Sequence, residues 1–336
     1  MDGPPGLHPQ RLLRLMEAAV EACRLDLSGA VVLTEAASGA YVVTPVLAAM
    51  AGAAPVVALA RTSRYGTSAE VGAATGSLAR MAGVADRVEL VTEKRPEVVA
   101  GADIVTNSGH LRPIDAAMAG WMKPTAVVPL MFEAWELPAR DADVDLPALR
   151  RRGIAVAGTN ERHPAVDVFS FLGVMAAKQL LDAGVAVNRS GIVVLCDNPF
   201  GPWLRDGLAA CGADVSVAAS LPEAAAGERP DAVVVALRPR PEPVLDRDEA
   251  AWLAAHWPGT VVAQFWGDLD RQGLAAAGVP YWPPEAPANG HMGILPSGVG
   301  PEPVVRLQAG GLKVGEVLLR PDDRRSEFDR SFLDAV

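Results

Sequence analysis

Five polar loops hold the side chains best suited to chemistry in this chain. Asn107-Ser108-Gly109-His110 pairs an amide with an imidazole, and Met131–Glu136 sets Glu133 just after an apolar run, with Trp135 nearby. Thr159–Pro164 is the densest polar cluster, carrying Asn160, Glu161, Arg162 and His163 in succession. Asp197-Asn198-Pro199-Phe200-Gly201 forms a tight turn, and Asn289-Gly290-His291 stands in a loop rich in proline and glycine. Proton transfer is the chemistry these residue types suggest. Histidine titrates near neutrality, and burial of a carboxylate such as Glu133 would raise its pKa toward general acid–base use. The candidate acid–base groups are therefore His291, Glu133, His110, His163 and Glu161. Asn107, Trp135, Asn160, Asn289 and Arg238 are the candidate substrate contacts. His291 leads this set, because Gly290 and Gly293 permit close backbone approach.

Each cluster also has a plainer reading. Residues 107–110 read equally as a polar turn capping a helix that starts near Pro113. Thr159 or Asn160 would serve as a cap with Pro164 in the first turn, although the polar content of that loop exceeds what one cap requires. Two more loops carry anion-binding chemistry. Glu35-Ala36-Ala37-Ser38-Gly39 precedes a helix N-terminus, and Arg61–Thr67 brings arginines that could grip a carboxylate or phosphate. Together they resemble a second nucleotide-type turn. No metal is assigned. Cys23, Cys196 and Cys211 form no CxxC pair, and His110, Glu133, His163 and His291 would have to converge from separate loops to hold an ion.

The elements that must position these loops alternate strand and helix, an α/β class with parallel sheets. Strand-like runs occur at Ala30–Thr34, Pro55–Ala60, Arg87–Thr92, Ile104–Asn107, Ala126–Met131 and Gly153–Ala157. A second set occupies Ile192–Cys196, Asp214–Ala218, Ala232–Ala236, Thr260–Phe265 and Val279–Tyr281. Two Rossmann- or flavodoxin-like domains follow. A flavodoxin-like or Rossmann-like substrate domain is expected over 1–165, rejoined by a closing helix over 302–319. Residues 166–189 are expected to form a long crossing helix and linker, since Asp167–Ala183 is too apolar for a surface helix. A Rossmann-like domain over 190–300 and a charged, frayed tail over 320–336 complete the chain. Parallel sheets place ligands at the carboxyl ends of their strands. The polar loops are therefore expected to line a cleft between the domains.

Ser190–Gly212 reads as strand, turn and helix, the unit that binds nucleotides at its first turn. Cys196, Asn198 and Gly201 occupy the places of the GxGxxG glycines, and Ala218-Ala219-Ser220 ends the next strand without an acid. With Asp143–Leu172 (DVDLPALRRRGIAVAGTNERHPAVDVFSFL), the acidic residue and leucine-bearing helix from Asp246, and His291 shortly before the last helix, the layout resembles the D-2-hydroxyacid dehydrogenase superfamily, of the formate/glycerate dehydrogenase type. The likeness covers about Gly101 to Leu319. It implies an NAD or NADP cofactor held by Asp197, Asn198, Pro199, Phe200 and Gly201, catalysis by His291, and pairing into a homodimer.

The expected activity is NAD(P)-linked oxidation or reduction of a small keto, hydroxy or amino acid in the cleft. The altered turn keeps two other readings open. One is a non-redox lyase, cyclase or transferase, with S-adenosylmethionine or no cofactor; the other is a ligand-binding protein without catalysis. A net charge of −10 argues against non-specific nucleic-acid binding. No apolar stretch is long enough to span a bilayer, and the N-terminus lacks a secretory pattern. A cytoplasmic protein with reduced cysteines and a small-molecule partner is expected.

Overall fold

The computed structural model describes residues 4–336, which fall into two compact units. The first comprises the chain through Val168 together with Gly300–Val336, and the second is Phe169–Val299. Both are α/β and built on sheets whose long strands all run parallel.

In the first unit, short aliphatic runs form β1 (Val32–Ala36), β2 (Val56–Ala60), β3 (Val88–Val91), β4 (Ile104–Val105), β5 (Val127–Pro129) and β6 (Ala155–Thr159). Their spatial order is β3-β2-β1-β4-β5-β6, the doubly wound dinucleotide-fold order. Every residue of β1 and β2 is buried, as expected of parallel strands covered on both faces. Alternation then decides which face each side chain serves. Val32, Ile104 and Val127 pack with α1 (Pro9–Cys23), α2 (Val43–Met50) and the closing helix, whereas Leu33, Val105 and Val128 pack on the opposite side. That opposite side is covered by helices over Ala116–Trp121 and Leu146–Arg151. On the far side of β1, the chain leaves β2 through a loop into α3 (Ser68–Met81), which a Thr67–Glu70 capping box starts.

In the second unit, β7 (Gly191–Cys196), β8 (Asp214–Ala218), β9 (Ala232–Ala236), β10 (Val261–Trp266) and β11 (Tyr281–Trp282) stand in the order β8-β7-β9-β10-β11. This is the flavodoxin-type order. The helix expected to cross between domains is shorter than Asp167–Ala183: a 3-10 turn over Phe169–Phe171 leads into an α-helix over Leu172–Asp182. It lies within the second unit, packed on the helix Gly201–Ala210. Gly173 and Gly207 meet there so closely that a methyl group on either would strike the other's backbone.

The expected frayed tail is a correction. Pro321–Arg325 is charged, but a one-turn helix (Glu327–Arg330) follows, Phe332 is fully buried, and Leu333–Asp334 pairs antiparallel with β6. Lys313 of the closing helix Glu302–Leu319, itself 1% exposed, donates to Glu316 at 2.9 Å and meets Asp329 at 3.1 Å. Arg320 also bonds both carboxylates. A buried cation without these partners would be costly, so the charges fix the segment rather than free it.

Candidate functional site

The switch point of the first sheet lies between β1 and β4, whose chains leave in opposite directions. Leu33 stands opposite Val105, and the Thr106 amide donates to Leu33 O at 3.0 Å. Continuing that register places Glu35 beside Asn107 on one face and Thr34 beside Thr106 on the other. The hydroxyls on the second face bond one another: Thr106 Oγ1 lies 2.8 Å from both Thr34 Oγ1 and Ser108 Oγ.

On the first face, two polar side chains are buried without bonding each other. The Glu35 carboxylate accepts the His110 amide at 3.2 Å. Burial pushes its pKa up, against the pull of that bond and of Arg112. Gly109, at φ 39°, is required here, because any side chain would collide with the Glu35 carboxylate. Asn107 is only 1% exposed, and neither Oδ1 nor Nδ2 has a hydrogen-bond partner. Such an orphaned amide is rare in a folded core. The half-buried His110 ring is held below its ordinary pKa, first by burial and then by the charges of Arg61 and Arg112.

A second cluster follows at the ends of β5 and β6. Glu133, 0% exposed, accepts Trp135 Nε1 at 2.6 Å, Arg162 Nε at 3.0 Å and the Glu161 amide at 3.2 Å. Burial raises its pKa, and the bonds from Trp135 and Arg162 pull it back. Glu136 binds Arg140 at 2.9 Å, and the Glu161 carboxyl is driven well above the carboxylate range by burial and by Glu136 and Glu133. Sequence reasoning saw Glu133 as an acid at a strand end. It missed that Trp135 and Arg162 both bond that carboxylate.

Asn160 and His163 are placed by the returning C-terminal segment. Asn160 Nδ2 donates to Ser331 O at 2.9 Å, and its backbone amide donates to Phe332 O at 2.9 Å. His163 stacks on Phe332 with ring centroids 3.8 Å apart and accepts the Ala165 amide on Nδ1 at 3.1 Å. Burial holds its pKa down. These contacts give Asn160 and His163 packing and capping work.

In the second unit, the turn after β7 is laced to β9. Asn198 Nδ2 donates to Ala236 O at 2.6 Å, Asn198 Oδ1 accepts the Phe200 amide at 3.0 Å, and Asp197 accepts the Arg238 amide at 2.9 Å. Phe200 is buried against Trp266, with ring centroids 5.5 Å apart. Pro202 removes an N–H from the first turn of the following helix. Burial pushes the Cys196 thiol up to about 11, which disfavours the thiolate. A pyrophosphate needs open amides and close backbone approach at this turn. Residues 197–201 do not fit it: the Phe200 amide is taken by Asn198 Oδ1 and the Gly201 amide by the Asn198 carbonyl, Pro199 has none, and the Asp197 carboxylate stands beside them. His291 and Asn289 are exposed on a loop anchored over β10, where Trp266 Nε1 donates to Gly290 O at 3.0 Å and Asp268 accepts the Gly290 amide at 3.1 Å. Arg238 is thus joined to the turn through its backbone and His291 through Trp266, within this unit.

Among the described residues no group of three or more His, Cys, Asp or Glu side chains is arranged to hold a metal ion. No helix among them is long and apolar enough to cross a membrane.

No family model matches the chain, and no curated protein matches it. Among solved structures, the fold is similar to that of a dipicolinate synthase subunit from Bacillus halodurans, at 14% identity over 88% of this chain and 100% of that one, with a TM-score of 0.56. A dipicolinate synthase chain from Bacillus subtilis is similar at 11% identity, over 85% of this chain and 95% of that one, with a TM-score of 0.51. An NAD-dependent formate dehydrogenase from Staphylococcus aureus, in complex with NAD, matches at 13% identity over 81% and 97%, with a TM-score of 0.47. What is shared is the two-sheet fold expected from the resemblance to D-2-hydroxyacid dehydrogenases.

Proposed function

We propose that this chain is an NAD(P)-linked oxidoreductase acting on a small keto, hydroxy or amino acid. The observation that carries the reading is the switch point of the first unit. A sheet in the dinucleotide-fold order there ends in a half-buried histidine, a buried carboxyl and an orphaned amide. A nicotinamide cofactor, when bound, supplies or takes the hydride. The chain's own residues then have to bind, orient and move a proton.

His110 is the proton carrier in this reading. Its lowered pKa keeps the imidazole neutral at pH 7, ready to take a proton from a substrate hydroxyl or amine during oxidation. Glu35 positions it by accepting its backbone amide. Arg112, bonded to Asp143 at 2.9 Å, adds positive charge that favours an anionic substrate. The role expected for His291 passes to His110, since His110 shares its sheet edge with Asn107 and Glu35.

A spectrophotometric screen of small 2-hydroxy, 2-keto and 2-amino acids with NAD(H) and NADP(H) tests the reading. Turnover should fall about 100-fold or more in His110→Ala. The acid limb of kcat/KM should lie below the ordinary histidine value, because a depressed pKa keeps the base neutral to lower pH. Turnover unaffected by His110→Ala would remove it as the base. A non-redox enzyme on the same scaffold is the second reading, favoured by the closed turn at residues 197–201. Calorimetric binding of S-adenosylmethionine, with no nicotinamide nucleotide bound, would select it.

A further inference from the structure

The loop after β2 is cationic in a protein whose net charge is −10. Arg61 is exposed and has no carboxylate partner among the described residues, and its charge reaches both His110 and Lys94. Three residues on, the Arg64 guanidinium lies over the Tyr65 ring at 4.7 Å, and Tyr65 is 60% exposed. A large exposed aromatic under a guanidinium is a stacking platform. The loop has a fixed shape: Ser63 and Gly66 exchange backbone hydrogen bonds at 2.9 and 3.2 Å, and Ser68 N donates to Thr62 Oγ1 at 3.0 Å. It is tied to the neighbouring turn, where Ser38 Oγ donates to Tyr65 O at 3.1 Å.

That turn leaves β1 and runs through Gly39, at φ 61°, into the helical stretch ending at Met50. The space above Gly39, where a side chain would project, is open. At the far side of the switch point stands Asn107, with its buried amide unpartnered. From β2 through β1 to β4, the strand ends thus present an exposed arginine beside a stacking face, an open glycine turn at a helical start, and an orphaned hydrogen-bonding group. In the dinucleotide fold the end of the second strand meets the adenosine ribose, and an arginine there accommodates a 2′-phosphate. The first β–α turn meets the pyrophosphate.

We propose that the first unit, not the second, holds the nucleotide, and that Arg61 selects the 2′-phosphorylated form, NADP(H). Arg61 meets the 2′-phosphate, the Arg64–Tyr65 face meets the adenine, the turn at Gly39 meets the pyrophosphate, and Asn107 takes a polar group at the nicotinamide end. The proposal rests on the oxidoreductase reading for the nicotinamide half alone; the adenosine half stands on the β2 loop.

Titration calorimetry and NADPH fluorescence on the full chain, with NADP(H), NAD(H) and adenosine 2′,5′-bisphosphate as probes, test it without turnover. NADP(H) should bind about tenfold or more tighter than NAD(H), as expected of one charge-assisted contact. The bisphosphate should displace NADPH. Arg61→Ala, at an exposed position that leaves folding intact, should erase the NADP(H) preference and leave NAD(H) affinity within about twofold. Asn198→Ala, in the second unit, should leave NADP(H) binding unchanged. Loss of binding in Asn198→Ala with none in Arg61→Ala would overturn the site while sparing the oxidoreductase reading. Absence of binding by every nicotinamide nucleotide, with the bisphosphate still bound and lost in Arg61→Ala, would keep the site and end the oxidoreductase reading. No binding by any probe would overturn both.

Discussion

The two sheets of this protein end in opposite ways. At the second unit's switch point, the turn after β7 spends its polar groups on itself: Asn198 bonds Ala236 O and the Phe200 amide, and Asp197 bonds the Arg238 amide. At the first unit's switch point, polar groups are buried and left over: Asn107 has no partner, and Glu35 has one backbone amide. A satisfied turn is a finished piece of structure. An unsatisfied buried amide lowers stability and persists where something else will use it. The difference separates a crevice closed by its own side chains from one poised for a ligand.

The most severe way to break the first crevice is Gly109→Ala. The new methyl group needs the place of the Glu35 carboxylate, at a φ that disfavours alanine. A loss of about 3 kcal/mol in urea unfolding is expected. Adding Glu35→Ala should return part of it, because the two defects share one space. Additive losses would mean that the crowding lies elsewhere.

The matching change in the second unit is Asn198→Gly, which restores a fingerprint glycine. It deletes the bonds to Ala236 and Phe200 and should cost about 1–2 kcal/mol. Nucleotide affinity should not rise, because Asp197, Pro202 and buried Phe200 still obstruct the turn. A gain in NAD affinity on calorimetry would show that Asn198 alone closed the crevice.

Much of the fold could be read from residues, and most of the site could not. β8, β9 and the helix Glu302–Leu319 fall on their expected bounds, because glycine, proline and polar residues delimit clean apolar runs. β1 extends to Ala36, two residues past its expected end, because Glu35 reads as a polar strand terminus yet is buried inside the strand. The C-terminal segment was hidden by Asp322, Asp323, Arg324 and Arg325, whose charges outweigh the two phenylalanines that dock it. Strand order is a property of the assembled sheet, so the sequence did not show that the first unit carries the 3-2-1-4-5-6 order. The dinucleotide reading went to residues 197–201 because a strand–turn–helix pattern is local. The lacing of that turn by Asn198 depends on Ala236, far along the chain. Arg61–Thr67 was legible as an anion-binding loop, but its neighbours at the β1 and β4 ends were not.

Asn107→Leu sharpens the contrast with a change of opposite sign. Replacing an unpartnered buried amide by an apolar side chain of similar size removes a desolvation penalty, so the ligand-free protein should be stabilised by about 1 kcal/mol. The same substitution should weaken nicotinamide-nucleotide binding on calorimetry. Destabilisation would mean that Asn107 has a partner in solution and is not held in reserve.

The smallest expected effect concerns Glu35 and pH. Its folded pKa is raised, chiefly by burial, above the unfolded carboxylate value near 4.5. The folded state therefore holds the proton more tightly than the unfolded chain. The resulting contribution is fully present below pH 4.5 and is lost as pH rises through the folded pKa. Glu35→Gln keeps the shape and removes the titration. Its stability relative to the wild type should improve steadily between acid and neutral pH, as followed by urea midpoints across that range. The accompanying His110 amide bond survives, since a glutamine oxygen still accepts it. A variant that tracks the wild type at every pH would show the Glu35 carboxyl solvated and ionised in the folded protein, and the first crevice would then be as closed to an incoming anion as the second.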